Sequence, residues 1–245
     1  MFGKVHIIYM LTTALVGVAI ILPLYFLKWR WLNRFMIKLF AIASVLLVYS
    51  PLWIDFFSTG RAEVSADMIL PIHPFIVCVW FLVFSSTVLN SGGFLNRLVR
   101  DFSFFGGIVF GFIGVVFMNF GENTDLGDFS VLRILLASTA MVYASVLLYT
   151  SGIVRIRFFR SSLAALLGIM TLLACGLVVN ELYERAALPP CNAMGLLENP
   201  FPNAPHLSSL IMAIIALVAV MLFSGIYEIV LVKLNERKRR KSRLL

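Results

Sequence analysis

The sequence predicts an all-α polytopic membrane protein of seven transmembrane helices, with its amino terminus outside and its carboxyl terminus cytoplasmic. Three observations carry that reading. The 245 residues are 61% hydrophobic and only 13% charged, with a mean hydropathy of +0.98, whereas a soluble domain carries about a quarter charged residues. Seven apolar runs approach or exceed the roughly 20 residues that a helix needs to cross a bilayer core of about 30 Å. The basic residues gather on alternate connections between those runs. A soluble enzyme, a disordered chain and a coiled coil are excluded on composition.

The runs build a membrane domain over residues 1–232. The first, 5–27, is too long for the apolar core of a signal peptide, and no small-x-small cleavage site follows it, so it is expected to remain as a helix. The second covers 35–57. The third, 68–90, is entered through Leu70-Pro71-Ile72-His73-Pro74. Proline costs little in a helix's first turn, where the N–H groups lack intrahelical partners. The flanking prolines therefore fix the His73 imidazole above Val77, Trp80, Phe81 and Phe84, read as an apolar wall.

The fourth run, 102–120, carries Gly106, Gly107, Gly111 and Gly114. The Gly107–Gly111 spacing permits close helix approach and is read as internal packing. The fifth, 129–151, contains Arg133 and Ser138. The sixth, 161–180, leads into a proline-rich outer loop, 181–206, with prolines at 189, 190, 200, 202 and 205. That density favours an extended cap over the helix ends. Its Met194, Leu196, Leu197 and Phe201 suit either a packed structural loop or a lid over a cavity. The seventh run, 207–232, continues into a basic tail, 233–245. There Lys238, Arg239, Arg240 and Lys241 are expected to meet anionic lipid headgroups.

Orientation follows from the short loops. One side holds Lys28, Arg30, Arg34, Lys38, Arg97, Arg100, Arg155, Arg157, Arg160 and the tail, together sixteen of the 20 basic residues. The opposite side holds nine of the 12 acids, from Asp55 to Glu198. The basic side is therefore cytoplasmic in a cell membrane. Its connections are short, and little room for a site is expected there. The seventh run's Glu228 reads as a lone acid reaching water.

Cys78 and Cys175 lie in apolar runs and Cys191 in the outer loop, with no metal-ligand spacing. No metal, cofactor or nucleic-acid partner is expected, and no phosphate-binding loop, HExxH, GxSxG or EF-hand pattern is present. The polar residues at or near membrane depth cluster toward the outer side. Charged groups within spans are costly and usually face a partner or a wet cavity. The candidate ligand-binding cluster is His6, His73, Asn119, Arg133, Ser138, Asn180 and Glu181, with Asp55, Asp128 or Glu181 as a partner for Arg133. His206 lies at the same depth as His6 and His73. No polar path leads inward from this cluster, which argues against an ion channel.

The opening Phe2-Gly3-Lys4-Val5-His6, the Leu70-Pro71-Ile72-His73 entry, the glycine-rich fourth span and Asn180…Pro189-Pro190 occur in that order on a seven-span frame. This pattern resembles the YwaF-like family of bacterial integral membrane proteins. Eukaryotic relatives include a transmembrane phospholipid acyltransferase thought to use a Cys just after the Leu-Pro-x-His element and a His in a later span. The resemblance places that first His at His73, the Cys position at Phe75 and the later His near Ser138. It therefore implies the fold more than the enzyme.

The expected function is binding of a lipid, a small amphiphile or a membrane partner through the outer face. The alternatives are a lipid-modifying enzyme, using His73 with Glu181, Arg133 or Ser138, and a small-molecule transporter.

Overall fold

Apolar chain with no water to serve its backbone closes its hydrogen bonds internally, and long runs of this kind form helices. The structure, a computed structural model, describes residues 4–60, 70–116, 129–189, 191–197 and 208–242, and every regular element among them is helical. In chain order these are α1 (Lys4–Leu27), α2 (Arg30–Val48), α3 (Ser50–Thr59), α4 (Pro74–Thr87), α5 (Phe94–Val116), α6 (Phe129–Thr150), α7 (Phe158–Arg185) and α8 (Ser209–Ser242). A single 3-10 turn, Ala193–Gly195, lies between the last two. Six of the helices, all but α3 and α4, are long and apolar enough to cross a membrane.

The elements depart from the predicted runs in several places. α2 begins five residues early at Arg30, and α7 runs on to Arg185, which puts Glu181 on a helix and not in the outer loop. Three further departures have a clear physical reason. The run 35–57 breaks at Tyr49 into α2 and α3, because Pro51 has no N–H to continue the ladder. The Leu47 carbonyl, which a nitrogen at position 51 would have served, accepts from the Ser50 hydroxyl at 2.8 Å instead. Among the described residues of the third run only the 14 of α4 are helical, with His73 extended at its start (φ −106°, ψ 143°). The fourth begins at Phe94, eight residues before the predicted 102, so Arg97, Arg100 and Asp101 sit on α5 and not in a loop.

Packing is organised around α6, which is buried along more than half of its length and lies against α2 and α5 most extensively. α4 fills the space between α2 and α5, α7 packs on α5 and α8, and α1 lies on α6. Small residues allow the close approaches. Gly107 and Gly111 of α5 face α6, where a Cβ at Gly111 would sit 2.8 Å from Val142 Cγ2 and 3.0 Å from the Ser138 carbonyl. Gly168 of α7 leaves room for the Phe102 ring, which also meets Phe81 edge-on at 4.9 Å.

Buried hydroxyls join the helices, since in an apolar medium an unpaired polar group is costly. Ser44 donates to Phe40 and Ala137 carbonyls at 2.8 and 3.3 Å, and Ser103 to Phe81 at 2.9 Å. On α1 the buried stripe is His6, Gly17 and Leu24, turned to α6. Tyr9 and Thr139 pair there at 2.9 Å, and the Tyr143 hydroxyl donates to the Thr13 carbonyl. The remaining faces of α1 and α8 expose large apolar side chains, such as Leu15 and Leu222, as a lipid-facing surface would.

Glu228 is not alone. Its carboxylate accepts from the Phe158 N–H at 2.8 Å, closing the N-terminus of α7, and meets Arg157 at 3.4 Å. The negative charge suits the positive end of the α7 dipole.

Candidate functional site

The start of α4 places His73 at the mouth of a cavity of about 1040 Å³, bounded by α5, α6, α7 and α8. This is at the upper end of the volume of ligand pockets, which are mostly apolar with a few placed polar groups. Its apolar shaft is built from stripes spaced for one helix face. On α5 these include Phe102, Phe105, Val109 and Ile113, and on α7 Ala165, Ile169 and Leu172. On α8 Met212, Ala213, Ala216 and Val220 face it. From Ser209 to Val220 the α8 stripe runs about 16 Å at 1.5 Å per residue.

Polar groups gather toward the end holding His73. Tyr49, His73, Arg133, Asn192 and Ser209 line that part, with Ser138 one turn deeper than Arg133 on α6. Arg133 donates from Nη1 to the Val48 carbonyl at 3.0 Å, which fixes its guanidinium against the break between α2 and α3. The helix break is therefore part of the site: it frees a carbonyl for Arg133 and turns Tyr49 and Leu52 toward the cavity.

Ser138 is the informative residue. A serine inside an apolar helix usually bonds back to the carbonyl four residues earlier. Ser44, Ser145 and Ser224 all do so here, at 2.7–2.8 Å. Ser138 lies in the cavity wall, fully buried with its Oγ turned against Gly114, and its hydroxyl has no partner among the described residues. Gly114 makes the space for it, because a Cβ there would collide with the Ser138 Oγ. An unmade hydrogen bond on a buried hydroxyl costs about 1–3 kcal/mol.

The predicted cluster divides. His73, Arg133 and Ser138 share this one cavity. His6 does not line it: it is buried on the face of α1 that packs on α6. Asn180 is spent on the outer loop, accepting from the Ala193 N–H at 2.9 Å and from the Cys191 thiol at 3.5 Å. Glu181 is largely exposed and pairs with Arg185 at 2.7 Å, not with Arg133. Asn119, Asp128 and His206 lie outside the described residues.

The apolar wall expected beneath His73 is also different. Because His73 is extended, the first helical residues Phe75 and Ile76 face the cavity. Trp80 and Phe84 point outward, with Trp80 donating to the Tyr49 hydroxyl at 2.9 Å.

The outer loop covers the cavity in part. Met194 donates its N–H to the Ile72 carbonyl at 2.8 Å, and Ser209 donates to the Gly195 carbonyl at 2.7 Å. Asn192, Met194 and Gly195 thereby line the mouth. Met194 holds a left-handed φ of 56° followed by Gly195 at 65°, a conformation that costs a non-glycine residue free energy and persists only where its surroundings fix it. Here Gly176 accommodates Met194 and Leu196. Leu197 is exposed, and Phe201 lies outside the described residues.

Cys78 is fully buried against Gly106 and does not line the cavity. Cys78 belongs to the apolar core cluster with Val77, Val79, Leu82 and Phe102. Asn192, Ser209 and Tyr49 were not singled out in the sequence, since each lies at an element end where polar residues are ordinary.

Comparison with protein-family models, with curated proteins and with solved structures gives no match.

Proposed function

We propose that this chain is a seven-span protein of the cell membrane that binds a lipid or small amphiphile in the cavity between α4 and α8. The tail of the ligand lies along the apolar shaft, and its polar head meets His73, Arg133 and Ser138. The observation that carries the reading is the buried, unpartnered Ser138 hydroxyl in the wall of a large apolar cavity. A ligand head that bonds Ser138, once its side chain rotates from Gly114 toward the cavity, removes that penalty, and the charge of Arg133 favours a head with a strong acceptor.

Seven spans require the α4 segment to cross. Its 14 helical residues reach only about 21 Å, short of a core of roughly 30 Å. The non-helical Leu70–His73 stretch, which turns tightly at the Ile72 N–H to Leu70 carbonyl bond of 2.8 Å, leads into α4 from the outer side. Non-helical backbone at membrane depth is tolerated where protein buries it. Support comes from the Ile72 carbonyl, which Met194 serves, and from Leu70 and Ile72, which pack on Val179, Tyr183 and Ala193. The basic connections at the opposite end support an outside amino terminus and a cytoplasmic tail. Membership of the YwaF-like family belongs to the same proposal, resting on the motifs given above.

Ser138→Ala tests the binding mode through two effects of opposite sign. In delipidated detergent the variant is expected to be more stable than the wild type by about 1 kcal/mol, because an unsatisfied hydroxyl is gone. The co-purifying amphiphile is expected to bind about tenfold more weakly, the equivalent of 1.4 kcal/mol. Thermal melting with and without the extracted lipid measures both. A variant less stable than the wild type, with unchanged ligand affinity, contradicts the proposal.

A further inference from the structure

The end of the bundle opposite His73, expected to leave little room, holds a second cavity of about 500 Å³. Three segments distant in sequence converge on it. α2 contributes Arg30 and Arg34, α5 contributes Arg97 and Arg100, and the connection into α7 with that helix's first turn contributes Arg155 and Arg160. Asp101 is the one carboxylate in the wall, which leaves an excess of five positive charges. The Phe102 ring belongs to the apolar cavity, so the two sites meet at neighbouring residues of α5 but have separate walls.

The guanidinium groups in the floor are held in place without being neutralised. Arg100 is only 7% exposed, and it donates to the carbonyls of Asn96, Leu89 and Ser91 at 3.2, 2.8 and 3.1 Å. Arg97 donates twice to the Gly92 carbonyl, at 2.9 and 2.7 Å. Asp101 is taken by Arg160 through two bonds of 2.5 and 3.2 Å, and Arg160 also donates to the Arg155 carbonyl. Among the described residues no carboxylate lies within 4 Å of Arg30, Arg34, Arg97, Arg100 or Arg155. A buried cation such as Arg100 is ordinarily paired, and five uncompensated charges around one cavity repel one another.

A topology signal explains basic residues at this end but not their arrangement. Lysine serves the positive-inside rule as well as arginine, yet Lys28 and Lys38, in the same stretch of chain, do not line the cavity. Only arginine presents the planar fork that matches phosphate oxygens in pairs. Trp29 and Trp31 beside Arg30 are exposed, as residues of an aromatic belt at headgroup depth are. We infer that this cleft binds a phosphate ester, held over Arg100 by Arg30, Arg34, Arg97 and Arg155. The group is the headgroup of an anionic phospholipid or a soluble phosphoester. This inference does not depend on the amphiphile cavity.

The test uses the full chain in a neutral detergent at constant ionic strength. The probes are sub-micellar dihexanoyl phosphatidic acid, glycerol 3-phosphate and, as a zwitterionic control, dihexanoyl phosphatidylcholine. Thermal melting is followed as each is titrated. The expected result is a saturable rise in melting temperature with phosphatidic acid and none with phosphatidylcholine. Arg30→Gln/Arg34→Gln is expected to weaken the phosphatidic acid response at least tenfold and to melt no lower than the wild type without probe, since both side chains are exposed and two mutually repelling charges are removed. A response to phosphatidic acid alone identifies a lipid headgroup, and an equal response to glycerol 3-phosphate identifies a site for phosphate esters in general. A Lys238→Gln/Arg239→Gln tail variant is expected to respond as the wild type. The inference is overturned if no probe saturates, if phosphatidylcholine acts equally, or if the arginine pair variant binds as tightly as the wild type.

Discussion

Asp101→Ala is expected to destabilise the protein by about 3–5 kcal/mol, the range for removing one partner of a buried ion pair. The carboxylate is 1% exposed and joins α5 to α7 through two bonds to Arg160. Among the described residues it is also the only negative group in a wall of six arginines. Its removal leaves Arg160 partly buried without a counter-charge and adds to the repulsion already present there. The Arg157–Glu228 pair, with side chains 64% and 33% exposed, is a solvent-screened pair whose loss is expected to matter far less. Unfolding in a graded series of denaturing detergent measures the loss. A cost below about 1 kcal/mol would mean that Asp101 is a surface-like pair and that the α5–α7 contact rests on apolar packing alone.

Gly107→Leu is expected to cost about 3 kcal/mol or more, at or above the usual upper end for overpacking a tight interface. A Cβ at Gly107 already collides with the Ser145 hydroxyl and comes within 3.5 Å of Met141 Cγ. Ser145 cannot swing away cheaply, because its hydroxyl donates to the carbonyls of Met141 and Ser103 at 2.8 and 3.3 Å. The rest of a leucine side chain must therefore push α5 from α6, the central helix. Gly92→Leu, at a position with nothing within 4 Å of its Cβ, is the matched control. Equal melting temperatures for the two variants would contradict the packing account.

Helices that depend only on apolar length were legible in the sequence almost to the residue, as α1 and α6 show against the expected 5–27 and 129–151. The misreadings arise where a backbone rule competes with hydropathy. Pro51 sits in an unbroken apolar run, so hydropathy continues through it while the hydrogen-bond ladder does not. Arg97, Arg100 and Asp101 were read as loop because charge counts against a span, although an arginine whose donors find backbone carbonyls is accommodated on a helix end. Depth alone brought Asn180, Glu181 and His6 into the candidate cluster. Which way a side chain turns depends on neighbours that no local pattern reveals: the outer loop for Asn180, α6 for His6. His73, Arg133 and Ser138 were legible because a polar group in a long apolar run has few bland explanations. The arginine cleft was hidden because its residues also satisfy the topology rule.

The central claim is that the cavity between α4 and α8 holds an amphiphile. Ala216 lies on the α8 stripe that faces the shaft, and a tryptophan there obstructs the shaft while leaving His73, Arg133 and Ser138 unsubstituted. The most direct measurement is mass spectrometry of the protein released from native-lipid particles, wild type beside Ala216→Trp. The account predicts about one amphiphile per wild-type chain, retained after washing, and its loss from a variant that still folds. Equal retention by both proteins, or a wild-type chain that carries none, would contradict it.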